Sequence, residues 1–341
     1  KRLVFENISQ FKILEYLFDE PSTRRFERFF KLNHCCFSIL FMVLLTMPNI
    51  YDIIRAAVLI GAFIFNARLD RKSWMLADSM LVGSYGLGYS LFPGSLLESG
   101  GLMESYLVRL FGALMLGQVL LWYLTRRTVD DSVVGTILWS RLMGILVLLL
   151  VVFQGFWQSK ESPSNKNVWF DLLGFLLLLG NTICYLARGR YAVGGREQKG
   201  PVSIVLRIYF LILFFSGLCC MAFPKVMMPF KPLEKLDVVI MRSIGAVLFG
   251  NSIEAWYAPS WRSDESKNAF FISQILTSFL FCVTLAIAFF IEGTFNFRES
   301  LILHTGVVPS MVILVGIYFI WKDGRDGNAM HSSYFTRSKS S

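Results

Sequence analysis

Two stretches decide the fold: Tyr106-Leu-Val-Arg109-Leu-Phe-Gly112-Ala113-Leu-Met-Leu-Gly117-Gln118 and Val239-Ile-Met-Arg242-Ser-Ile-Gly245-Ala246-Val-Leu-Phe-Gly250-Asn251. Each carries Arg-x-x-Gly-Ala with a further glycine four residues beyond the alanine, inside an apolar run long enough to cross a bilayer as one helix. The small residues Gly112, Ala113 and Gly117, and their counterparts Gly245, Ala246 and Gly250, let a neighbouring helix come close and gain van der Waals contact. A block that occurs twice in this setting predicts a duplicated helical membrane bundle.

The likeness continues on both sides of the blocks. Each is preceded by a span ending in Phe-Pro, at Phe92-Pro93 and Phe223-Pro224, with Gly86 and Gly217 equally far from those prolines. Each is followed by a tryptophan-bearing exit (Trp122, Trp256), a short charged loop and a third helix. There Ser140-Arg141 aligns with Ser273-Gln274, and the helices end at Phe153-Gln154-Gly155 and Ile291-Glu292-Gly293. Fourth helices close each unit. The predicted fold is an all-α polytopic membrane protein with two tandem four-helix repeats, 73–187 and 203–322. An even number of spans makes the repeats parallel, related by an axis along the membrane normal.

Composition agrees. Hydrophobic residues make up 55% of the 341-residue chain and aromatic residues 15%, above the roughly 45–50% apolar content of soluble domains. Mean hydropathy is +0.55. Eight spans follow, at 73–92, 104–125, 133–157, 168–187, 203–223, 238–258, 269–292 and 300–321. Residues 35–68 form a short helical pair, Cys36–Met47 and Ile50–Phe65, broken at Pro48-Asn49 because proline removes a backbone donor. Two crossings are favoured over a re-entrant hairpin, and they give ten spans. Residues 1–34 read as an amphipathic interfacial arm, with Phe11, Leu14, Leu17 and Phe18 at helical spacing.

Fifteen Lys and Arg residues fall on one side of the predicted topology and six on the other. The richer side is expected to be cytosolic, which puts both termini there, joined to the basic linker 188–202 and the basic tail 323–341. The net charge of +9 is then charge next to lipid headgroups, not a nucleic-acid footprint. Membrane lipids and other membrane protein subunits are the expected partners, and nucleic acid is not.

No cofactor is expected. The histidines His34, His304 and His331 are dispersed, and metal sites need clustered ligands. No phosphate loop, nucleophile elbow or two-carboxylate constellation stands out, so the chain reads as non-enzymatic. The polar residues at membrane depth are Asp78, Gln118, Arg141, Asp171, Asn181, Arg207, Asn251, Glu254, Gln274 and His304.

Arg109 and Arg242 lie one to two turns inside the external ends of their helices. Such a guanidinium needs an acceptor or a path to the headgroups. Expected acceptors are Glu98 or Glu104 for Arg109, and Glu234 or Asp237 for Arg242. Asp78 is expected opposite Arg207, and Gln118 opposite Asn251 across the axis. Interfacial anchoring is the leading reading of the arginines. The alternative makes Arg109, Arg242, Gln118 and Asn251 contacts for a solute or a lipid headgroup.

Leu213 to Pro224, followed by Met241-Arg242-Ser-Ile-Gly245-Ala246, resembles the repeat of DoxX-like four-helix membrane proteins and of an animal family of tumour-suppressor-inducible small membrane proteins. The resemblance implies a four-helix unit and carries no functional residue. Two functions are compatible with these features. An accessory or scaffolding subunit of a membrane assembly ranks first, and a small-solute or lipid transporter with a pathway between the repeats ranks second.

Overall fold

The structure, a computed structural model, describes residues 50–93, 101–158, 165–189, 191, 193–194, 201–229, 231–301, 316 and 318. The interfacial arm 1–34, the first half of the short helical pair, the last predicted span at 300–321 beyond residue 301 apart from 316 and 318, the tail 323–341 and Glu98 lie outside these residues. The described chain is helical: α1 Ile50–Asn66, α2 Arg71–Leu91, α3 Leu102–Thr125, α4 Asp131–Gln158, α5 Asn165–Arg188, α6 Pro201–Ala222, the single turn α7 Pro224–Met227, α8 Lys235–Tyr257 and α9 Asp264–Phe290. Five of these, α3, α4, α6, α8 and α9, are long and apolar enough to cross a membrane. The spans expected at 73–92 and 168–187 are helices α2 and α5, and of these α2 falls short of that standard. Arg71, Lys72, Asp78 and a run of serines and glycines make α2 too polar, whereas Leu172–Arg188 of α5 is an apolar helix.

Local chemistry sets the ends. Glu234 and Asp237 form a reciprocal capping box at the start of α8, with the Glu234 N–H donating to Asp237 Oδ2 at 3.0 Å, which satisfies donors that a first turn otherwise orphans. Ser263 Oγ accepts from the Ser266 N–H at the start of α9. Pro224 opens α7, where its missing N–H costs nothing. Gly293, at φ +63°, turns the chain left-handed just past α9, a conformation glycine adopts without penalty.

α3 and α8 form the central pair. α3 packs mainly on α2 and α9, and α8 mainly on α6 and α4, while α3 and α8 also touch each other. α3 barely touches α4, its neighbour in sequence. One apolar core, around Trp74, Leu121, Trp122, Leu138, Trp261 and Phe270, sits toward the 126–130 and 258–263 loops. The other, around Tyr106, Leu107, Leu114, Met241, Ile244 and Phe295, sits toward the opposite ends. The two loops are tied by Asp130, whose carboxylate accepts from Ser132 N–H at 3.0 Å, Ser132 O–H at 2.7 Å and Arg262 N–H at 2.7 Å. Burial raises the pKa of this group, but the hydrogen bonds from Ser132 and Arg262 outweigh it and hold the carboxyl below its ordinary range.

Glycines set the closest approaches. A Cβ on Gly112 would come 2.8 Å from the Gly86 carbonyl oxygen, and one on Gly245 would come 2.7 Å from that of Gly217. A Cβ on Gly250 would stand 3.0 Å from the Ser140 carbonyl oxygen and 3.1 Å from Gly144 Cα, and one on Gly117 would overlap Thr277. Each block therefore grips two helices and not one: Gly112 and Gly245 face α2 and α6, whereas Gly117 and Gly250 face α9 and α4.

Candidate functional site

The densest polar centre is one that the sequence did not assemble. Asp78 of α2 and Arg141 of α4 form a buried bidentate ion pair, with Arg141 Nη1 donating to Oδ2 and Nη2 to Oδ1 at 3.1 Å. Asn181 of α5 donates its amide N–H to Asp78 Oδ1 at 3.3 Å. The guanidinium carbon lies 4.6 Å from the ring centre of Trp122 and 5.9 Å from that of Trp74, so cation–π attraction adds to the pair. Trp74 in turn stacks on Tyr185 at 3.8 Å. Two charges this deep carry a large desolvation cost, which close pairing and the surrounding hydrogen bonds offset.

Asp78 had been expected to meet Arg207. Arg207 instead lies 3.6 Å from the ring centre of Trp256. Axial depth was the available signal for the true partner: Asp78 stands seven residues into α2 and Arg141 ten into α4, roughly 10 and 15 Å from ends that share one side.

Beside this centre a groove of about 630 Å³, its open mouth included, runs between α1, α2 and α5. Leu59, Phe63, Leu81, Tyr85, Phe175 and Leu178 give it an apolar wall, and Asp78 with Asn181 gives it a polar end. Arg109, Gln118, Arg242 and Asn251 do not line it.

Those four residues sit elsewhere. Arg109 Nη1 donates to Glu292 Oε1 at 2.6 Å, just past the end of α9. Arg242 donates from Nε to the Met221 carbonyl oxygen at 3.2 Å and from Nη1 to Gln154 Oε1 at 3.3 Å. None of these three acceptors was among those expected from sequence. Glu234 and Asp237 are used in capping, and the acceptors come from the ends of α9, α6 and α4, because those helices, not the loops, pack against α3 and α8.

Gln118 donates to Glu254 Oε2 at 3.1 Å, and not to Asn251 as expected; Glu254 is fully buried and Asn251 lies nearly so, one turn earlier on α8. The register of α8 against α3 brings the Glu254 turn, not the Asn251 turn, level with Gln118. Among the described residues no group of three or more His, Cys, Asp or Glu side chains could hold a metal ion.

A family model described as a domain of unknown function, DUF8292, matches residues 76–319. The chain belongs to the DUF8292 family. No curated protein and no solved structure matches it. The DUF8292 region takes in Asp78, Arg109, Gln118, Arg141, Asn181, Arg242, Glu254 and Glu292, so the ionic centre, the arginine pairs and the α3–α8 contact all belong to the family domain.

Proposed function

We propose that the chain is a non-enzymatic, multi-pass membrane protein of two parallel four-helix repeats that serves as an accessory or scaffolding subunit of a membrane assembly, with both termini cytosolic. The repeat reading draws support from matched contacts. The Gly86–Gly112 approach has its counterpart in Gly217–Gly245, and the contact of Gly117 with Ser273 and Thr277 has its counterpart in that of Gly250 with Ser140 and Gly144. Arg109 with Glu292 likewise corresponds to Arg242 with Gln154. In this arrangement the third helix of each unit packs on the second helix of the other, so the halves interlock.

The observation that carries the assembly role is the tight seam. Gly144 and Gly250 meet backbone to backbone, Ala246 and Ala255 are fully buried, and the Gln118–Glu254 bond is sealed from solvent. A transport pathway along this seam would need room and polar lining. By contrast α6 turns Ile204, Ile208, Leu211, Ile212, Phe215 and Leu218 outward in one stripe, and it is the least buried of the five membrane-length helices. That face is suited to lipid or to another subunit's helix.

Purification from native membranes followed by native mass spectrometry tests the proposal. Co-purification with stoichiometric membrane subunits is expected. A chain that always runs alone and catalyses solute flux in liposomes would overturn it.

A further inference from the structure

We infer that the groove between α1, α2 and α5 binds a neutral, hydroxyl-headed lipid. Its hydroxyl would donate to Asn181 Oδ1 beside Asp78, while its hydrocarbon body would run along α2 toward Tyr89. The inference starts from an unpaired atom. Asn181 is 3% exposed, and its Oδ1 has no hydrogen-bond partner among the described residues. The orientation of its amide is fixed by chemistry: a carboxylate only accepts, so the nitrogen must face Asp78, and the oxygen is turned away from it. A buried acceptor without a donor forfeits a hydrogen bond, and native structures seldom leave one unfilled. Asn181 lines the groove, so the missing donor is to be sought in whatever fills it.

The polar end selects the headgroup. Asp78 and Asn181 present acceptors there, and Arg141 already spends both terminal nitrogens on Asp78. A phosphate or carboxylate would meet only oxygens. A cation would meet a carboxylate whose charge is already balanced, and so would lose hydration without gaining a net counter-charge. A hydroxyl supplies one donor and carries no charge.

The rest of the groove selects the body. Its wall is apolar and aromatic, and Asp78 to Tyr89 spans eleven residues of α2, roughly 16 Å at the helical rise. A sterol and a diacylglycerol both offer a hydroxyl on a hydrocarbon body. The inference does not depend on the assembly role.

The test uses the full chain in phosphatidylcholine nanodiscs with two probes in separate arms: a photoreactive sterol with a free hydroxyl, and a photoreactive diacylglycerol. One probe is expected to label α1, α2 or α5 saturably, which names the source, and the acetylated form of that lipid is expected to compete about tenfold less well. A Cβ on Gly174 meets nothing within 4 Å although Gly174 lines the groove. Gly174→Trp should therefore fill the space without displacing packed side chains, and should abolish labelling while the thermal midpoint holds. Asn181→Leu should weaken labelling about tenfold.

Any of four results overturns the inference. These are no saturable labelling by either probe, equal competition by the acetylated lipid, labelling untouched by Gly174→Trp, or a photo-crosslinker at Leu178 that captures the chain's own residues 1–49 instead of lipid.

Discussion

Asp78 and Arg141 meet across α2 and α4 as a charged pair wrapped by Asn181, Trp74 and Trp122, whereas Tyr209 and Gln274 meet across α6 and α9 through one neutral bond, the phenol donating to Gln274 Oε1 at 2.8 Å. Under the repeat reading these are corresponding positions. Gln274 stands where Arg141 stands, and Tyr209 lies eight residues before Gly217 as Asp78 lies eight before Gly86. The same junction can thus be closed by charge or by a phenol. The charged version demands a shell of polar and aromatic neighbours. The groove and its polar end lie beside the charged junction, whereas the neutral junction belongs to the half whose α6 presents a plain apolar face outward.

The comparison breaks most visibly if the charge is stranded. Asp78→Leu leaves Arg141 buried without its counter-ion and is expected to cost about 3–5 kcal/mol, read as the fall in unfolding free energy in mild detergent with denaturant. The double variant Asp78→Leu with Arg141→Met should recover most of that loss, because apolar replacements of a buried pair are often neutral. If Asp78→Leu costs no more than the neutral-bond variant below, the contrast between the junctions is wrong.

Packing sharpens the equivalence of the halves. Gly112→Ala and Gly245→Ala would each push a methyl against a backbone oxygen at under 3 Å, and each is expected to cost about 1–3 kcal/mol. Gly174→Ala has open space and should be nearly silent in the same unfolding assay. Unequal losses at Gly112 and Gly245 would weaken the correspondence.

Tyr209→Phe removes one neutral hydrogen bond and is expected to cost about 1 kcal/mol. The smallest effect belongs to Asp130, outside the spans. Its folded pKa is held below the ordinary value, so its stabilisation is present above the unfolded pKa and is lost as pH falls through the folded one. Asp130→Asn should cost under about 1 kcal/mol at neutral pH, given its exposure to solvent. The difference from wild type should vanish as a thermal-unfolding series is taken below about pH 4.

Much of the scaffold was readable because it is written in local chemistry. Pro93 and Pro224 fall just past α2 and α6, Glu234 and Asp237 cap α8, and five apolar runs are long membrane-capable helices. The glycine spacing signalled close approach, but not that Gly112 and Gly117 would face different helices. Partners were harder to read for a related reason. Sequence gives the depth of a residue along its helix and leaves open which helices are neighbours. Arg109 finds Glu292 because α3 packs on α9 and barely on α4. Asp78 and Arg141 lie at similar depth on helices that no sequence feature marks as neighbours. The Gln118–Glu254 bond was missed because the two were not aligned positions, although they lie one on each central helix.

The seam where α8 meets α3 and α4 is closed, while the open space lies beside the charged junction. Accessibility of a single cysteine at position 251, introduced as Asn251→Cys in a chain whose six native cysteines have been replaced, tests it most directly. With the protein in nanodiscs, a hydrophilic methanethiosulfonate reagent should leave that thiol unmodified until the protein is unfolded. Rapid modification in the folded protein would mean that water reaches the seam, and it would contradict the claim.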